Sequence, residues 1–221
     1  MALRVVFLGP PGVGKGTQAS RAAAAHGVPQ VSTGDILREA ARRGTELGIQ
    51  ARGFMDRGAL VPDPVVVALV AERTAEPDCR PGFILDGFPR TLPQAEALDT
   101  LLEGRRQTLA AVVCMVAPVE EIVRRLATRR VCPVCGRVYG GGADGRGPRA
   151  CEADGTVLVP RPDDRAEVIR ERFRVYEAQT APLVGHYRRQ GLLREVDGVG
   201  PVADVAGRIE ALLAGLVGSG A

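Results

Sequence analysis

The chain contains very little lysine and few aromatic residues. Its 221 residues include no tryptophan and only 4% Phe, Trp and Tyr, and Lys15 is the only lysine among 29 Lys and Arg residues. Because proteins that bind single-stranded nucleic acid stack bases on aromatic rings, this composition argues against a nucleic-acid partner. No apolar run approaches the roughly 20 residues that a membrane-spanning helix needs, so we expect no membrane partner either.

We also expect no export signal, and the net charge of the chain is small. Residues 1–4 lead directly into the first apolar run and leave no room for a signal peptide, so we expect a cytoplasmic protein. The net charge of +3 is too small to argue for nucleic acid and favours small anionic substrates. The chain has five cysteines, which is an odd number, and we expect it not to be exported. Both points argue against a disulfide framework.

Short apolar runs alternate with helical patterns along the chain. Continuous apolar strands, each followed by a helix, are typical of a parallel sheet covered on both faces, so the predicted fold class is α/β. Strands are predicted at 5–8, 30–31, 83–85, 110–116 and 192–196. Helices are predicted at about 15–25, 33–43, 62–76, 91–103, 118–128, 164–190 and 201–216. We expect Pro182 to kink the long helix at 164–190.

The most specific motif joins the first strand to the first helix. It runs from Gly9 to Thr17 and matches the P-loop pattern, except that Gly16 stands where the hydroxyl residue is expected and Thr17 comes one position later. Glycines let backbone N–H groups converge on a phosphate at a helix N-terminus. Lys15 would reach the outer phosphates, since a compact ammonium fits a nest that a planar guanidinium does not.

Further polar residues follow two other predicted strands at the same edge of the sheet. Asp86 lies at the end of an apolar strand. P-loop proteins place a carboxylate at the same point of a strand, close to magnesium. A glycine turn behind it presents Arg90, and Thr33 and Arg38 follow the second strand. Phosphoryl transfer needs positioning and positive charge rather than a protein nucleophile, so this set is sufficient for that chemistry.

A cysteine pattern lies within a segment that breaks the alternation of strands and helices. Two pairs with the spacing of zinc knuckles predict a tetrahedral metal site made of Cys132, Cys135, Cys151 and Asp154. Glu152 is an alternative fourth ligand, and a redox-active Cys-x-x-Cys is an alternative that leaves Cys151 unused. Glycine-rich turns between very short strands are predicted at 140–148.

Taken in order, these motifs resemble those of adenylate kinases over nearly the whole chain. The matching stretches are 9–18, 32–38, 86–90 with Gln94, Arg125 with 129–130, Arg161 with 163–164, Arg172 and 180–183. The resemblance implies the P-loop nucleoside monophosphate kinase fold, with a five-stranded parallel sheet. It further implies a core domain at 1–31, 62–127 and 165–221, a helical AMP-binding domain at 32–61 and a small zinc-ribbon-like β lid at 128–164.

The resemblance also implies roles for the matched positions. AMP would contact Thr33, Arg38, Met55, Ala59, Leu60, Val61, Gly87, Phe88, Arg90, Gln94, Arg161 and Arg172. ATP would contact Gly12, Val13, Gly14, Lys15, Gly16, Thr17, Arg125, Arg129, Val138, Tyr139 and Gly200. The catalytic residues would be Lys15, Asp86, Arg90, Arg129, Arg161 and Arg172. Asp163 and Asp164 would support magnesium or the closed lid, and a cis peptide before Pro89 would help hold Arg90.

The implied reaction is reversible phosphoryl transfer from MgATP to AMP, giving two ADP in a monomer whose mobile domains close to exclude water. Mg²⁺ would act with ATP, and Zn²⁺ would be structural. Alternatives are GTP as donor and UMP or CMP as acceptor. Thr33 argues against pyrimidine acceptors, because the similar pyrimidine kinases carry Ala in this turn and lack the long lid. A nucleic-acid-binding protein is a further alternative that the scarcity of aromatic residues disfavours.

Overall fold

The structure is a computed structural model that describes residues 2–140 and 147–218, so part of the predicted glycine-rich turn, 141–146, lies outside the described residues. Its strands are β1 (Leu3–Leu8), β2 (Gln30–Ser32), β3 (Gly82–Asp86), β4 (Ala111–Val116), β5 (Arg130–Val131), β6 (Val138–Tyr139), β7 (Val159–Pro160) and β8 (Leu193–Asp197). Five of them form one parallel sheet in the order β2-β3-β1-β4-β8. This confirms the predicted fold class.

The register of the sheet brings the predicted motifs to one edge. Phe7 of β1 and Ser32 of β2 both pair with Asp86, the last residue of β3. Since the strands are parallel, the residues that follow them emerge on the same side of the sheet. The loop after β1, the turn after β2 and the turn after β3 therefore meet there.

The helices cover both faces of this sheet. They are α1 (Lys15–His26), α2 (Thr33–Arg42), α3 (Glu46–Met55), α4 (Asp63–Ala75), α5 (Leu92–Gly104), α6 (Val119–Thr128), α7 (Ala166–Val175), α8 (Pro182–Arg189) and α9 (Val202–Gly218). One face packs against α1, α6 and α9, and the other packs against α4, α5 and α8. No helix in the described ranges is long and apolar enough to cross a membrane.

The prediction of one helix at 164–190 was wrong. The segment forms α7 and α8, joined by a π-helical turn at Tyr176–Thr180 in which Ala181 donates to the carbonyl of Tyr176 (2.8 Å). Pro182 then begins α8 instead of kinking a continuous helix. The physical reason is that proline lacks an N–H group but is well suited to the first turn of a helix.

Helix α3 was not among the predicted helices. Gly48 and Gly53 lower its helix propensity, which weakens the sequence pattern. The tertiary structure explains Gly48, because a Cβ atom there would lie 2.1 Å from the backbone carbonyl carbon of Ala40 in α2. Helix α3 therefore forms through close packing on α2, which its own sequence does not reveal.

Strands β5, β6 and β7 lie in the segment predicted to be a lid (128–164, called the lid below) and form a separate antiparallel sheet in the order β6-β5-β7. Arg130 in the middle strand pairs with Tyr139 on one side and Pro160 on the other. The short strands predicted for this segment are therefore present, and the loops between them carry the cysteines.

Candidate active site

The loop between β1 and α1 is held against the core by glycines that leave no space for a side chain. Gly12 has φ of 85°, and a Cβ atom there would lie 2.6 Å from Leu126 and 2.8 Å from Ile122 of α6. At Gly16, where the P-loop pattern has a hydroxyl residue, a Cβ atom would lie 3.1 Å from Oδ2 of Asp86. The carboxylate of β3 thus lies directly against the loop.

Lys15 is folded back onto this loop. Its Nζ donates to the carbonyl oxygens of Gly9 (2.6 Å) and Pro10 (2.8 Å). Burial lowers the pKa of Lys15 to about 7, Asp86 opposes this shift, and the positive charges of Arg90, Arg172 and Arg129 add to it. Three arginines from distant parts of the chain therefore lie close to the ammonium group of the loop.

Asp86 faces both the loop and β2. Its Oδ2 accepts a hydrogen bond from Nε2 of Gln30 (3.2 Å), and the same Nε2 lies 3.4 Å from the carbonyl oxygen of Gly16. Burial raises the pKa of Asp86, while the positive charge of Lys15 opposes that rise. An oxygen ligand beside a phosphate-binding loop fits Mg²⁺, which takes one or two carboxylates together with substrate phosphates.

Arg125 connects the loop to the segment after β8. Its guanidinium donates to the carbonyl oxygens of Val13 (2.9 Å) and Gly198 (2.9 Å) and to the carboxylate of Glu121 (2.7 Å). Gly200 follows two residues later with φ of 113°. The predicted ATP residues Val13, Arg125 and Gly200 thus belong to one side of the molecule, where α6 meets the 198–200 segment.

A cleft lies between the turn after β2, the segment after α3 and the lid. Eleven of the twelve residues predicted for AMP line it: Thr33, Arg38, Met55, Ala59, Leu60, Val61, Gly87, Arg90, Gln94, Arg161 and Arg172. Phe88 is buried in the core instead. Gly34, Leu37, Gly58 and Val66 also line the cleft and were missed, because small and apolar residues carry no chemical signal in a sequence.

Arg90 is fixed by its neighbours on every side. Its Nε donates to the carbonyl of Gly87 (2.8 Å), its backbone N–H donates to Oε1 of Gln94 (2.7 Å), and the predicted cis peptide at Phe88–Pro89 is confirmed. Asp63 accepts from Nε2 of Gln94 (2.7 Å) and therefore orients its amide. Sequence reasoning missed Asp63, since its link to Gln94 is purely tertiary.

The π-helical turn adds a further contact to Arg90. The hydroxyl of Thr180, which is buried, donates to the carbonyl oxygen of Arg90 (2.8 Å). An additional residue in a helical turn re-aims the side chains around it, and such turns are frequent at functional sites. The matched stretch 180–183 therefore reaches the site through the backbone of Arg90.

Three arginines and two aspartates form a cluster between the lid and α7. Arg129 binds both carboxylate oxygens of Asp164 (2.6 and 2.5 Å), and Arg161 binds both of Asp163 (2.5 and 2.9 Å). Arg172 donates to Asp164 (3.1 Å) and to the carbonyl of Asp163 (3.0 Å).

This arginine–aspartate cluster carries an excess of one positive charge, because it has three guanidinium groups and two carboxylates. Burial alone would raise the pKa of Asp163, but Arg161 and Arg172 outweigh it and hold that pKa well below its usual range. Burial lowers the pKa of Arg172 to about 10, so its guanidinium stays charged at neutral pH. The cluster can therefore attract a further anion.

Two of the residues predicted for ATP lie in the lid. Val138 is exposed on β6. Tyr139 is buried, and its hydroxyl donates to Sγ of Cys151 (3.3 Å) and accepts from the backbone N–H of Glu152 (3.0 Å). The hydroxyl of Tyr139 is therefore engaged within the lid.

The four predicted metal ligands come together at two turns of the lid. The potential ligand atoms of Cys132, Cys135, Cys151 and Asp154 all lie within 4.8 Å of one another. The two turns have the same backbone pattern: Gly136 donates to the carbonyl of Cys132 (2.9 Å), and Gly155 donates to that of Cys151 (2.8 Å). The structure brings Asp154 to the thiols, and Glu152 is not in the group.

The spacing of these atoms fits a tetrahedral zinc ion. Sγ of Cys135 lies 3.6 Å from Sγ of Cys151, and Sγ of Cys132 lies 3.4 Å from Oδ2 of Asp154. Zn–S bonds of about 2.3 Å put tetrahedral sulfur atoms about 3.8 Å apart. Four protein ligands close the coordination shell, so a metal here would be structural.

A glycine loop at the sheet edge, a carboxylate beside it and converging arginines define a P-loop protein of the nucleotide-kinase class. A family model described as adenylate kinase matches residues 7–192. An adenylate kinase of Archaeoglobus fulgidus is 50% identical over 212 residues, covering 96% of this chain and 98% of the relative. One of Geobacter sp. strain M21 is also 50% identical, covering 96% and 99%, and one of Syntrophobacter fumaroxidans is 47% identical, covering 96% and 100%. The chain belongs to the adenylate kinase family.

Proposed function

We propose that this protein transfers the γ-phosphoryl group of MgATP to AMP, giving two ADP, and does so reversibly. One observation carries the proposal: Arg90 lines the cleft and donates to the carbonyl of Gly87 (2.8 Å), which follows Asp86, and the carboxylate of Asp86 lies against Gly16 of the phosphate loop. A phosphate in the cleft and a polyphosphate on the loop would therefore both lie near Arg90. This is the arrangement that an in-line transfer between two phosphates requires.

The proposed role of each residue follows from its position in the loop or in the cleft. In this proposal the backbone of the loop from Gly12 to Thr17 and the ammonium of Lys15 bind the polyphosphate of ATP, with Arg125 beside the donor base. Arg38 and Arg90 bind the phosphate of AMP. Thr33 and Gln94 face its adenine, and Met55, Ala59, Leu60 and Val61 pack against it, since these side chains line one cleft.

The charge that builds up during transfer would be stabilised by Lys15, Arg90, Arg129, Arg161 and Arg172. Preorganised positive groups are effective here because the bidentate pairs with Asp163 and Asp164 already fix the guanidinium planes. When bound with ATP, Mg²⁺ neutralises phosphate charge, and Asp86 is the carboxylate positioned to hold it. The water-excluding closure of the AMP-binding domain (32–61) and the lid (128–164) over the core (1–31, 62–127 and 165–221) is part of the proposal.

The same proposal covers the wider setting of the protein. We infer a cytoplasmic monomer that works on small nucleotides, without a nucleic-acid or membrane partner. Zn²⁺ would be held by Cys132, Cys135, Cys151 and Asp154 and would keep the lid folded, for which the close fit of the four ligand atoms is the support.

A coupled assay tests the proposed substrates directly. AMP, GMP, UMP and CMP are compared as acceptors against ATP and GTP as donors, with each product identified by chromatography. We expect the highest kcat/KM for ATP with AMP. A preference for a pyrimidine acceptor, or for GTP as donor, would contradict the proposed specificity.

A further inference from the structure

Helix α2 contacts the lid through residues that do not line the cleft. Arg42, the last residue of α2, donates a hydrogen bond from its guanidinium to the backbone carbonyl oxygen of Val134. Val134 lies between Cys132 and Cys135, in the first of the two metal-binding turns. This contact joins the region proposed to bind AMP to the metal centre of the lid.

The guanidinium of Arg42 is held in place from its own helix. A second nitrogen of the group donates to Oε2 of Glu39, one turn earlier, and Oε1 of Glu39 accepts from Arg43 (2.7 Å). Arg42 and Arg43 therefore share a carboxylate partner, and both side chains are more than half exposed. In the described parts of the chain, only Arg42 of this pair has a hydrogen bond to the lid.

The backbone around the acceptor, the carbonyl oxygen of Val134, is also held by hydrogen bonds. Gly136 donates to the carbonyl of Cys132 (2.9 Å), and the backbone N–H of Cys135 approaches Sγ of Cys132 (3.4 Å). A metal bound to both cysteines would fix the peptide between them, so the carbonyl of Val134 would keep its direction. The lid therefore offers a rigid acceptor to a guanidinium that Glu39 has already oriented.

We infer that Arg42 is a positioning residue that joins α2 to the metal-binding turn of the lid and favours the closed form with AMP bound. This inference rests on the proposed function and extends it to a residue outside the cleft. In this proposal the contact forms as the lid closes towards α2, so it raises the closed fraction, and the apparent affinity for AMP rises with that fraction. The contact takes no part in the transfer, so its loss should not slow the chemical step.

The chain offers a matched control for this inference. Arg42→Ala and Arg43→Ala each remove one arginine from the end of α2 and one partner of Glu39, but only Arg42→Ala removes the link to the lid. A single exposed hydrogen bond contributes little net free energy. We therefore expect Arg42→Ala to raise KM for AMP about threefold without lowering kcat. Arg43→Ala should leave both constants unchanged, and thermal unfolding should be the same for all three proteins.

Closure itself is measured with two spin labels on the metal-loaded protein. Ile49→Cys on α3 and Val157→Cys on the lid introduce thiols at sites that are 63% and 71% exposed. Cys79 and Cys114 are buried, and the remaining cysteines would be metal ligands. With AMP and an unreactive methylene analogue of ATP, Arg42→Ala should lower the ratio of short to long distances about threefold, while Arg43→Ala should match the wild type.

The results separate this inference from the proposed function. If the wild type makes no ADP from ATP and AMP, the proposed function is wrong, and so is the inference that rests on it. If the wild type turns over normally but Arg42→Ala and Arg43→Ala have the same KM for AMP and the same distance ratio, only the role of Arg42 is wrong.

Discussion

The phosphate loop rests on the core beneath it, whereas the candidate metal site of the lid has only a small buried cluster among the residues that the structure describes. Val13 and the strands around the loop belong to a large buried cluster on one face of the sheet. In the described part of the lid, the corresponding cluster has four buried side chains, Cys132, Tyr139, Cys151 and Leu158, and two of them are proposed metal ligands. Packing holds the first site, and coordination would hold the second.

The two sites also use different parts of the chain. In the proposed function the loop would present backbone N–H groups and one side chain, so its action would depend on main-chain geometry and on glycines such as Gly12. The candidate metal site would present four side chains, which two turns of the same backbone pattern bring together. Changes at the loop should therefore affect catalysis with little effect on stability, and changes at the metal centre should do the opposite.

The largest effect is expected for Lys15→Arg, although the charge is kept. Nζ of Lys15 fits between two loop carbonyls at 2.6 and 2.8 Å, a space suited to an ammonium, and a planar guanidinium would displace the phosphates. Small misplacements of reacting groups cost roughly a hundredfold in rate, so we expect at least that loss in kcat with little change in thermal unfolding. Turnover within about threefold of the wild type would contradict the proposed role of the loop.

An amine label gives an independent check of Lys15. Because this is the only lysine, an amine-directed reagent has one side-chain target once the α-amine is blocked. Bound ATP should protect Lys15 from the reagent, as measured by mass spectrometry. Labelling that ATP does not change would argue that its phosphates do not lie on the loop.

Removal of the metal should produce the opposite pattern. With so few buried side chains in the lid, chelation should lower the temperature at which the lid unfolds, while activity measured before it unfolds falls much less. Calorimetry with and without chelator, alongside turnover at a lower temperature, measures both effects. Immediate loss of all turnover in a folded protein would indicate a catalytic metal instead.

The two candidate carboxylates of the lid provide matched variants. Asp154→Asn removes a proposed ligand, and Glu152→Gln makes the same chemical change two residues away. We expect Asp154→Asn to lower zinc affinity markedly and Glu152→Gln to leave it unchanged, because only Asp154 lies with the three thiols. Zinc bound per protein under competition with a chelator measures this, and the reverse order would assign the ligand to Glu152.

A smaller effect is expected at Thr180, which supports the cleft through the backbone. Thr180→Val keeps the shape but leaves the carbonyl of Arg90 without its 2.8 Å hydrogen bond, a loss worth about 1–3 kcal/mol if the group stays buried. We expect KM for AMP to rise about fivefold or more. Thr100→Val is the control, since its hydroxyl bonds only within α5 (2.9 Å to Glu96), and it should have no effect on KM.

The smallest effect is an uptake of protons when ATP binds. The pKa of Lys15 is about 7 in the free protein, so about half of the molecules carry the ammonium at pH 7. Bound phosphates raise this pKa, and the complex therefore holds more protons than the free protein. ATP affinity should fall as pH rises from 7 towards the higher pKa of the complex.

Titration calorimetry in buffers with different ionisation heats measures this uptake. At pH 7 we expect the wild type to take up about 0.5 proton more per bound ATP than Lys15→Met does. Because the nucleotide exchanges the same protons in both proteins, that contribution cancels in the comparison. Equal uptake by the two proteins would show that Lys15 does not change its protonation on binding.

The parallel sheet and the phosphate loop could be predicted from the order of residues alone. Continuous apolar runs and glycine spacing are local properties, and the motif from Gly9 to Thr17 adjoins its strand and its helix. The spacing of Cys132, Cys135 and Cys151 is equally local, because each knuckle folds within a few residues. The order of residues along the chain is therefore enough to predict the chemistry of both sites.

How these parts meet depends on contacts between distant segments of the folded chain. The choice of Asp154 over Glu152 beside the thiols, the orientation of Gln94 by Asp63, and the hydrogen bond from Thr180 to Arg90 each join residues through packing. Helix α3 and the π-helical turn before Pro182 also escaped the sequence pattern, although Pro182 itself marked the place where the helix is disrupted. Such contacts arise from the packing of distant segments, which residue spacing along one segment does not encode.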